Sequence, residues 1–278
     1  MLEMEARVMS PRFFMIGTKS AGLEMTPDEI LQQQEHRPWP VPRSPWIMRQ
    51  TWNDLLFAHW SMPAADVSRL LPRELELDLF DGKAWVAVTP FHMTDVAFRG
   101  MPPLPVLSAF AELNVRTYVT YQGKPGVFFF SLDAFNPPAV WGARLTYHLP
   151  YFYARMWFQT ENGGEYGTRE VKYSSMRFRA PHAEFKGAYR PISQSSTSKP
   201  GTVEHFLTER YRLYSVHEGR VYAADIHHVP WQLQTAEAEI TRNSMAAAAG
   251  ITLPHSKPLL HFSKRMDVLV WPIRRMKP

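Results

Sequence analysis

Four side chains with chemical potential alternate along one strand-like run near the middle of the chain. The polar set is Glu112, Asn114, Arg116 and Tyr118, and the positions between and after them hold Leu113, Val115, Thr117 and Val119. Because successive side chains of a strand point to opposite faces, the polar set shares one face of a sheet. A carboxylate, an amide and a guanidinium in one row could fix a polar ligand. The same row could equally be the solvated face of an antiparallel sheet, and periodicity leaves both interpretations open.

Other catalytic arrangements find no support in the sequence. The chain has no cysteine, which excludes disulfides and thiol catalysis, and it has neither a G-x-S-x-G nucleophile turn nor a Gly-rich phosphate loop. Scattered histidines include His59, His92, His148, His205 and His261. No HExxH-type pair occurs, and the adjacent His227 and His228 would point to opposite faces of a strand. We therefore expect no metal site and no cofactor.

Short turns predict the elements that would position the polar row. Antiparallel hairpins are predicted at Asp81-Gly82, Gly123-Lys124, Asn162-Gly163 and Glu218-Gly219. Many of the 24 prolines fall in breaks between strand-like runs, which is typical of antiparallel structure with irregular connections. These features predict a β-dominated α+β fold, with residues 44–278 forming a single domain.

The first 43 residues are predicted to be an extension of this domain. Thr26 is a good N-cap with Pro27 at the first helical position, so a short helix is expected to run to about Glu35. Prolines in residues 37–42 then favour an extended connection. We expect a surface arm that packs on the domain or is partly disordered, and an oligomer contact is the alternative.

Three further segments complete the predicted organisation. Helices are predicted over Ala64–Leu71 and over Ala236–Ala249, the latter closed by Gly250. The segments Glu204–Tyr214 and Arg220–Val229 are the two arms of the hairpin predicted at Glu218-Gly219, and count here as one element.

Composition limits the classes of partner. The chain has 278 residues and a formal charge of +5, with basic residues spread rather than clustered, so no nucleic-acid partner is expected. No apolar run approaches the roughly 20 residues of a membrane-spanning helix. The N-terminus lacks the long apolar core of a signal peptide. These observations predict a soluble, cytoplasmic protein with no membrane partner.

Several separated segments carry a resemblance to a known family. They are FHMTDVAFRGMPPLPVLSAFAELNVRTYV, GVFFFSLDA, GARLTYHLPYFYARM, FLTERYRLY and IHHVPW. In this order, between about Trp46 and Trp271, they look like the YqjF-like family of uncharacterised proteins. That family is similar in fold to acetoacetate decarboxylase. The resemblance therefore implies a cone-shaped antiparallel β-barrel around an interior pocket, with a few short helices, but it implies no particular reaction.

The resemblance also bears on one specific chemistry. Acetoacetate decarboxylase uses a lysine whose pKa is lowered by a second cation, so that the free amine forms a Schiff base. Its lysine pair follows a Gly-Phe-Pro element that is preceded by Gly-Arg. The similar element here is GARLTYHLPYF, in which Arg144 and the proline are retained. Tyr151 and Phe152 take the two lysine positions, so Schiff-base decarboxylation is not expected.

Glu112 and Arg144 resemble the acid and the arginine of the decarboxylase pocket. A buried glutamate can have a raised pKa and serve as acid or base, and an arginine can hold a carboxylate by two hydrogen bonds. We predict that Glu112 transfers protons and that Arg144 and Arg116 hold an anion. The predicted neighbours that add hydrogen bonds are Asn114, Tyr147 and Tyr151. The structural alternative is a buried Glu–Arg pair inside a barrel, in which the two side chains hydrogen bond to each other and bind no ligand.

The predicted function is therefore binding, and potentially turnover, of a small carbonyl or carboxylate compound in the barrel. Turnover would be lyase- or hydrolase-like acid–base chemistry on a small organic acid. The competing hypothesis is a non-catalytic ligand-binding or protein-interaction domain built on an enzyme-derived fold. Assembly into a homo-oligomer is compatible with either hypothesis.

Overall fold

Strands dominate the computed structural model, which describes residues 24–103, 108–137, 140, 144, 146–162, 169–178 and 181–277. Its strands are β1 (Met48–Met62), β2 (Glu76–Leu77), β3 (Ala84–Phe98), β4 (Phe110–Tyr121), β5 (Lys124–Ala134), β6 (Tyr151–Asn162), β7 (Arg169–Arg177), β8 (Glu184–Pro191), β9 (Arg212–His217), β10 (Arg220–His227), β11 (Gln234–Asn243), β12 (Leu259–Val270) and β13 (Arg274–Arg275). Its helices are α1 (Pro27–Gln32), α2 (Ala64–Ser68) and α3 (Val203–Thr208), with a 3-10 turn at Ala247–Ala249. The predicted β-dominated α+β class is confirmed.

The strands close into two rings that share a wall. One ring has nine strands, in the order β1, β3, β4, β5, β6, β7, β8, β11 and β12. The other has seven, in the order β1, β3, β4, β5, β9, β10 and β12. Strands β12, β1, β3, β4 and β5 belong to both rings. The predicted barrel is confirmed. Its pairings are antiparallel except for those of β5 with β6 and with β9, which are parallel, and the sheet also branches.

Branching occurs because two strands change partners along their length. In β5, Val127 and Phe128 pair with β9, whereas the stretch from Leu132 to Ala134 pairs with β6. In β12, His261 and Phe262 pair with β11, whereas Leu269 and Val270 pair with β10. Since side chains alternate along the shared strands, each of them sends one set of residues into each ring.

The hairpin predictions are largely supported. Gln122 and Gly123 both have positive φ and join β4 to β5, and Glu218 and Gly219 do the same between β9 and β10. Such angles are those of the two-residue type I′ turn. Asp81 and Gly82 also form a positive-φ turn, closed by a single bridge between Phe80 and Lys83 rather than by two long strands. Strands β6 and β7 are antiparallel as predicted, but residues 163–168 between them lie outside the described residues.

The helix predicted over Ala236–Ala249 is wrong. Residues of β11 pair with β8 instead, with Ala236, Ala238 and Ile240 turned inward and Glu237 and Glu239 turned outward. This two-residue period matches a strand, and pairing with β8 overrides the helix propensity of alanine. Only the short turn at Ala247–Ala249 is helical, and it ends at Gly250 in the left-handed conformation, as predicted.

The first part of the predicted hairpin over Glu204–Tyr214 is also corrected. Residues Val203–Thr208 form α3, whose N-cap Thr202 accepts a hydrogen bond from the His205 amide. The chain becomes a strand only at Arg212. Helix α3 closes one end of the seven-strand ring, where Leu207 is completely buried against Tyr118 and Val127.

The described part of the N-terminal arm packs on the barrel. Helix α1 begins with the predicted Thr26 cap, which forms a capping box with Glu29, and it ends at Gln32, three residues earlier than predicted. Ile30 is buried against Leu269 and Trp271. No helix in the described ranges is long and apolar enough to cross a membrane.

Candidate functional site

The polar row on β4 faces the interior of the seven-strand ring and is buried. Glu112 is 2% exposed, Asn114 4%, Arg116 9% and Tyr118 0%. The opposite face of β4 places Leu113 and Val115 in the apolar core of the nine-strand ring. The solvated-face interpretation is thus wrong for this strand, because β9, β10 and α3 cover the polar row.

Glu112 is held by a tyrosine from the neighbouring strand. The Tyr151 hydroxyl donates to Glu112 Oε2 over 2.8 Å. Burial raises the pKa of Glu112 to about 7, while hydrogen bonds from Tyr151 and Asn114 lower it. A carboxyl group with this pKa exchanges a proton near neutral pH, which is what a general acid or base requires.

Arg116 is a buried cation without a carboxylate partner in the described part of the chain. Its guanidinium carbon lies 5.2 Å from the centre of the Phe57 ring, and its charge acts on the Tyr118 hydroxyl, whose pKa burial raises and Arg116 lowers. The Arg116 Nε has no hydrogen-bond partner among the residues that the structure describes. A buried charge is normally paired, because taking it out of water without a partner costs several kcal/mol. The arrangement is therefore suited to an anion.

His59 on β1 completes the row and was not singled out by sequence reasoning. Its Nε2 lies 2.6 Å from the Tyr118 hydroxyl, and that hydroxyl donates to the Leu207 carbonyl over 2.8 Å. The single hydrogen of the Tyr118 hydroxyl is donated to the Leu207 carbonyl. The contact between that hydroxyl and His59 therefore requires a hydrogen on Nε2, which His59 donates. Burial and the charge of Arg116 hold the pKa of His59 well below its usual value. The imidazole is therefore neutral, and its Nδ1 carries a lone pair and no hydrogen.

Several polar atoms on this face have no partner among the described residues. They are His59 Nδ1, Thr89 Oγ1, Asn114 Oδ1, Arg116 Nε, His261 Nδ1 and Ser263 Oγ. The register places them together: Thr89 lies opposite Asn114, Ala87 lies between His59 and Arg116, and His261 lies opposite Phe57. Buried polar groups in proteins nearly always have partners, so a cluster of exceptions marks a site for a ligand or water.

Arg144 lies outside the interior, and Tyr147 packs on its apolar cluster with the hydroxyl bonded away from the polar row. Arg144 is exposed, its Nε donates to the Tyr151 carbonyl, and its guanidinium lies 5.8 Å from the Phe152 ring centre. The Tyr147 hydroxyl donates to the Trp271 carbonyl over 3.2 Å, and burial raises the pKa of Tyr147 to about 12. The structure therefore brings Glu112, Asn114, Arg116 and Tyr151 into one interior and leaves Arg144 outside it.

The two residues at the decarboxylase lysine positions point into different rings. Tyr151 reaches Glu112 in the seven-strand ring, whereas Phe152 lies 3.8 Å below the guanidinium of Arg177 on the other side of the sheet. Arg177 forms a buried bidentate pair with Asp133, with both distances 2.7 Å. Each lysine in the described ranges is exposed or only half-buried. Among these residues, no cluster of three metal-ligating side chains occurs.

A surface groove of about 490 Å³ lies apart from this cluster. It runs between α1 and the barrel, and its lining includes Leu31, Trp46, Arg99 and Trp271. The guanidinium of Arg99 lies 5.3 Å from the centre of the Trp46 ring. None of the buried polar row lines this groove.

Comparison with solved structures identifies the class of fold. The enduracididine biosynthesis enzyme MppR, solved in complex with pyruvate, matches with a TM-score of 0.59 and 12% identity over 86% of this chain and 93% of its own. Acetoacetate decarboxylase from Legionella pneumophila matches with a TM-score of 0.55 and 13% identity over 93% of this chain and 98% of its own. The fold is thus that of acetoacetate decarboxylase-like proteins, as the sequence resemblance implied.

Sequence comparison then shows the family. Residues 49–267 match the model of DUF2071, described as an uncharacterized conserved protein, and the chain belongs to this family. It is 51% identical over 235 residues to the uncharacterized protein YqjF of Bacillus subtilis, covering 84% of this chain and 95% of that protein. The YqjF-like assignment from the quoted segments is confirmed.

Proposed function

We propose that the protein binds a small organic anion, a carboxylate or carbonyl compound, inside the seven-strand ring. The observation that carries this proposal is Arg116, a buried guanidinium with no carboxylate partner in the described ranges and a free Nε. An anionic ligand would supply the missing countercharge, and a carboxylate fits a guanidinium by two hydrogen bonds. The MppR neighbour, solved with pyruvate, supports a ligand of this size on the same fold.

Glu112 would carry any proton transfer. Its pKa of about 7 allows it to accept a proton from a bound molecule or to give one at neutral pH. Tyr151 and Asn114 orient the carboxyl group from two sides. The chemistry proposed is acid–base chemistry of the lyase or hydrolase type without a Schiff base, because Tyr151 and Phe152 replace the lysine pair.

Ligand size is limited by aromatic neighbours. Phe57, Phe91 and Trp231 are buried in the same interior, beside the polar row. A molecule of a few heavy atoms is therefore the class we propose. The absence of cysteine is compatible with a reducing compartment, and we propose the cytoplasm as its location.

The second candidate is binding without turnover. The unpaired Arg116 favours ligand binding whether or not a reaction follows. Substituting Glu112→Gln separates the two: an enzyme would lose turnover, whereas a binding protein would keep its affinity and have no turnover to lose. Proton uptake or release on mixing with pyruvate, followed by a pH indicator and by NMR of the products, is the relevant measurement.

The binding proposal is tested with pyruvate and acetate as probes, by calorimetry or by NMR line broadening. Arg116→Gln should weaken binding by roughly ten- to a hundredfold, the equivalent of about 1.5–3 kcal/mol for a charged hydrogen bond. Arg155→Gln is the matched control, because Arg155 is exposed on β6 and should leave the affinity unchanged. Absence of anion binding by the folded wild type, or equal affinity of wild type and Arg116→Gln, would overturn the proposal.

A further inference from the structure

We propose that the ligand of this site is a hydroxy acid, whose hydroxyl group donates a hydrogen bond to His59 Nδ1 on the face that also carries Asn114 Oδ1. This inference rests on the proposed anion site and names the class of molecule that fills it. A plain carboxylate or an oxo acid brings only acceptors at neutral pH. Such a molecule would satisfy Arg116 and leave the two acceptor atoms without a partner.

The first acceptor is fixed by the hydroxyl of Tyr118. That hydroxyl donates to the Leu207 carbonyl and receives the hydrogen on His59 Nε2. The low pKa of His59 means that no second hydrogen sits on Nδ1 near neutral pH. Nδ1 is fully buried and has no partner among the described residues, so it presents an acceptor and cannot present a donor.

The second acceptor belongs to Asn114. Asn114 lowers the pKa of Glu112 by hydrogen bonding, which is the effect of a donor, and in an amide side chain the donor is the nitrogen. The Asn114 Oδ1 is buried and has no partner in the part of the chain that the structure describes. Thr89, opposite on β3, has a hydroxyl that is also without a partner.

Both acceptors belong to residues on the face of the sheet that carries the cation. Asn114 precedes Arg116 by two residues on β4, and His59 lies across the sheet from Arg116, with Ala87 of β3 between them. A ligand whose carboxylate binds Arg116 would extend along this shared face, toward both residues. A hydroxyl on one of those carbons is the group that both acceptors suit.

An ammonium group would not serve as this donor. The charge of Arg116 lowers the pKa of His59, so the two groups are close enough to interact, whereas the nearby Arg210 is neutralised by Asp78. A cationic donor at His59 would be repelled by Arg116, whereas a neutral hydroxyl is not. This argument favours hydroxy acids over amino acids of the same size.

The test compares four molecules that share a three-carbon frame: propionate, pyruvate, L-alanine and lactate, the last in both enantiomers. For the wild-type chain we expect one lactate enantiomer to bind about tenfold more tightly than propionate or pyruvate, and alanine to bind least. In His59→Phe this preference should fall to about one, while the affinity for propionate stays within about twofold. His217→Phe, at an exposed turn position, is the matched control and should keep the preference.

A second measurement needs no variant and covers the case in which His59→Phe does not fold. In protein labelled with ¹⁵N-histidine, Nδ1 of His59 should have the shift of an unprotonated nitrogen. Lactate should move that signal toward the hydrogen-bonded value, and propionate should not. The inference is overturned if anions bind in an Arg116-dependent way without a hydroxyl preference or a lactate-specific shift. If none of the molecules binds, the anion site itself fails, and the two failures are therefore distinguishable.

Discussion

The two interiors of the barrel each contain a buried arginine, and the two arginines differ in one respect. In the nine-strand ring, Arg177 forms two 2.7 Å hydrogen bonds with Asp133 and lies over Phe152. In the seven-strand ring, Arg116 lies over Phe57 in a similar way but faces no carboxylate in the described ranges. The first charge is neutralised by the fold itself, and the second has no countercharge in the part of the chain that the structure describes.

The same contrast extends to the uncharged groups. Tyrosine hydroxyls in the nine-strand ring donate to backbone carbonyls: Tyr173 reaches Phe91 and Glu112, and Tyr189 reaches Asp54. Around Arg116, buried atoms of His59 and Asn114 have no partner within the described ranges. Ser131 and Ser175 on the nine-strand side also lack a partner among the described residues, so the contrast concerns the arginines and the tyrosines. Only in the seven-strand ring do the unpaired atoms share a face with an unpaired cation among the described residues.

The largest expected effect separates the two arginines by stability. Arg177→Ala would leave Asp133 as an uncompensated buried charge and should lower the free energy of unfolding by about 3–5 kcal/mol. Arg116→Gln strands no carboxylate and should change that free energy by less than about 1 kcal/mol, or increase it. Urea denaturation followed by circular dichroism measures both. If Arg116→Gln lowered the free energy of unfolding as much as Arg177→Ala, Arg116 would be a structural residue. The two arginines would then not differ in role.

A second effect concerns pH and the carboxyl group of Glu112. Its pKa rises from 4.5 to about 7 on folding, so between these pH values the folded protein keeps a proton that the unfolded chain releases. Stability should therefore fall as pH rises from 4.5 to 7, by up to about 3 kcal/mol from this group. Glu112→Gln cannot ionise and should lack this component.

The measurement is the difference in unfolding free energy between wild type and Glu112→Gln across that pH range, because the other titrating groups cancel in the difference. A difference that does not change with pH would show that Glu112 titrates normally in the folded state. Glu112 would then lack the proton affinity that we assign to it.

The smallest expected effect comes from one hydroxyl group. Tyr151→Phe removes the 2.8 Å hydrogen bond that lowers the pKa of Glu112, so that pKa should rise further above about 7. Tyr147→Phe is the matched control, because its hydroxyl contacts the Trp271 carbonyl and should not affect Glu112. Carboxyl ¹³C NMR titration of both variants reports the pKa directly. Equal titration curves in Tyr151→Phe and wild type would remove Tyr151 from the site.

The sequence predicted the composition of the polar row but not its burial. Alternation along Glu112, Asn114 and Arg116 follows from strand geometry alone, so their shared face could be read directly. Whether that face meets water depends on β9 and β10, which lie about 100 residues further along the chain and close the ring. No local pattern contains this information. The covering strands were predicted only as another hairpin, without a position in the barrel.

Arg144 was predicted to lie in the site and lies outside it, whereas His59 was not predicted there and lies within it. Arg144 entered the prediction by its place in a motif, and the structure puts it on the surface beside Phe152. His59 has no motif, and only the pairing of β1 with β3 and of β3 with β4 brings it to Arg116. The sequence does contain one indication for His59. It follows Leu55 and Phe57 at two-residue spacing, which places the imidazole on a buried face of the strand. The helix prediction over Ala236–Ala249 erred for a related reason, since pairing with β8 decided the outcome over local propensity.

The seam between β1 and β12 has a consequence for the order of assembly. Both rings close only when Leu269 and Val270 lie beside Arg49 and Met48, so the first strand must wait for nearly the last one. Contacts so distant in the chain are slow to form, because a long loop must close before they stabilise anything. A nascent chain leaving the ribosome therefore keeps Arg116 and Glu112 hydrated until β12 has emerged. The proposed anion site can form only from that moment.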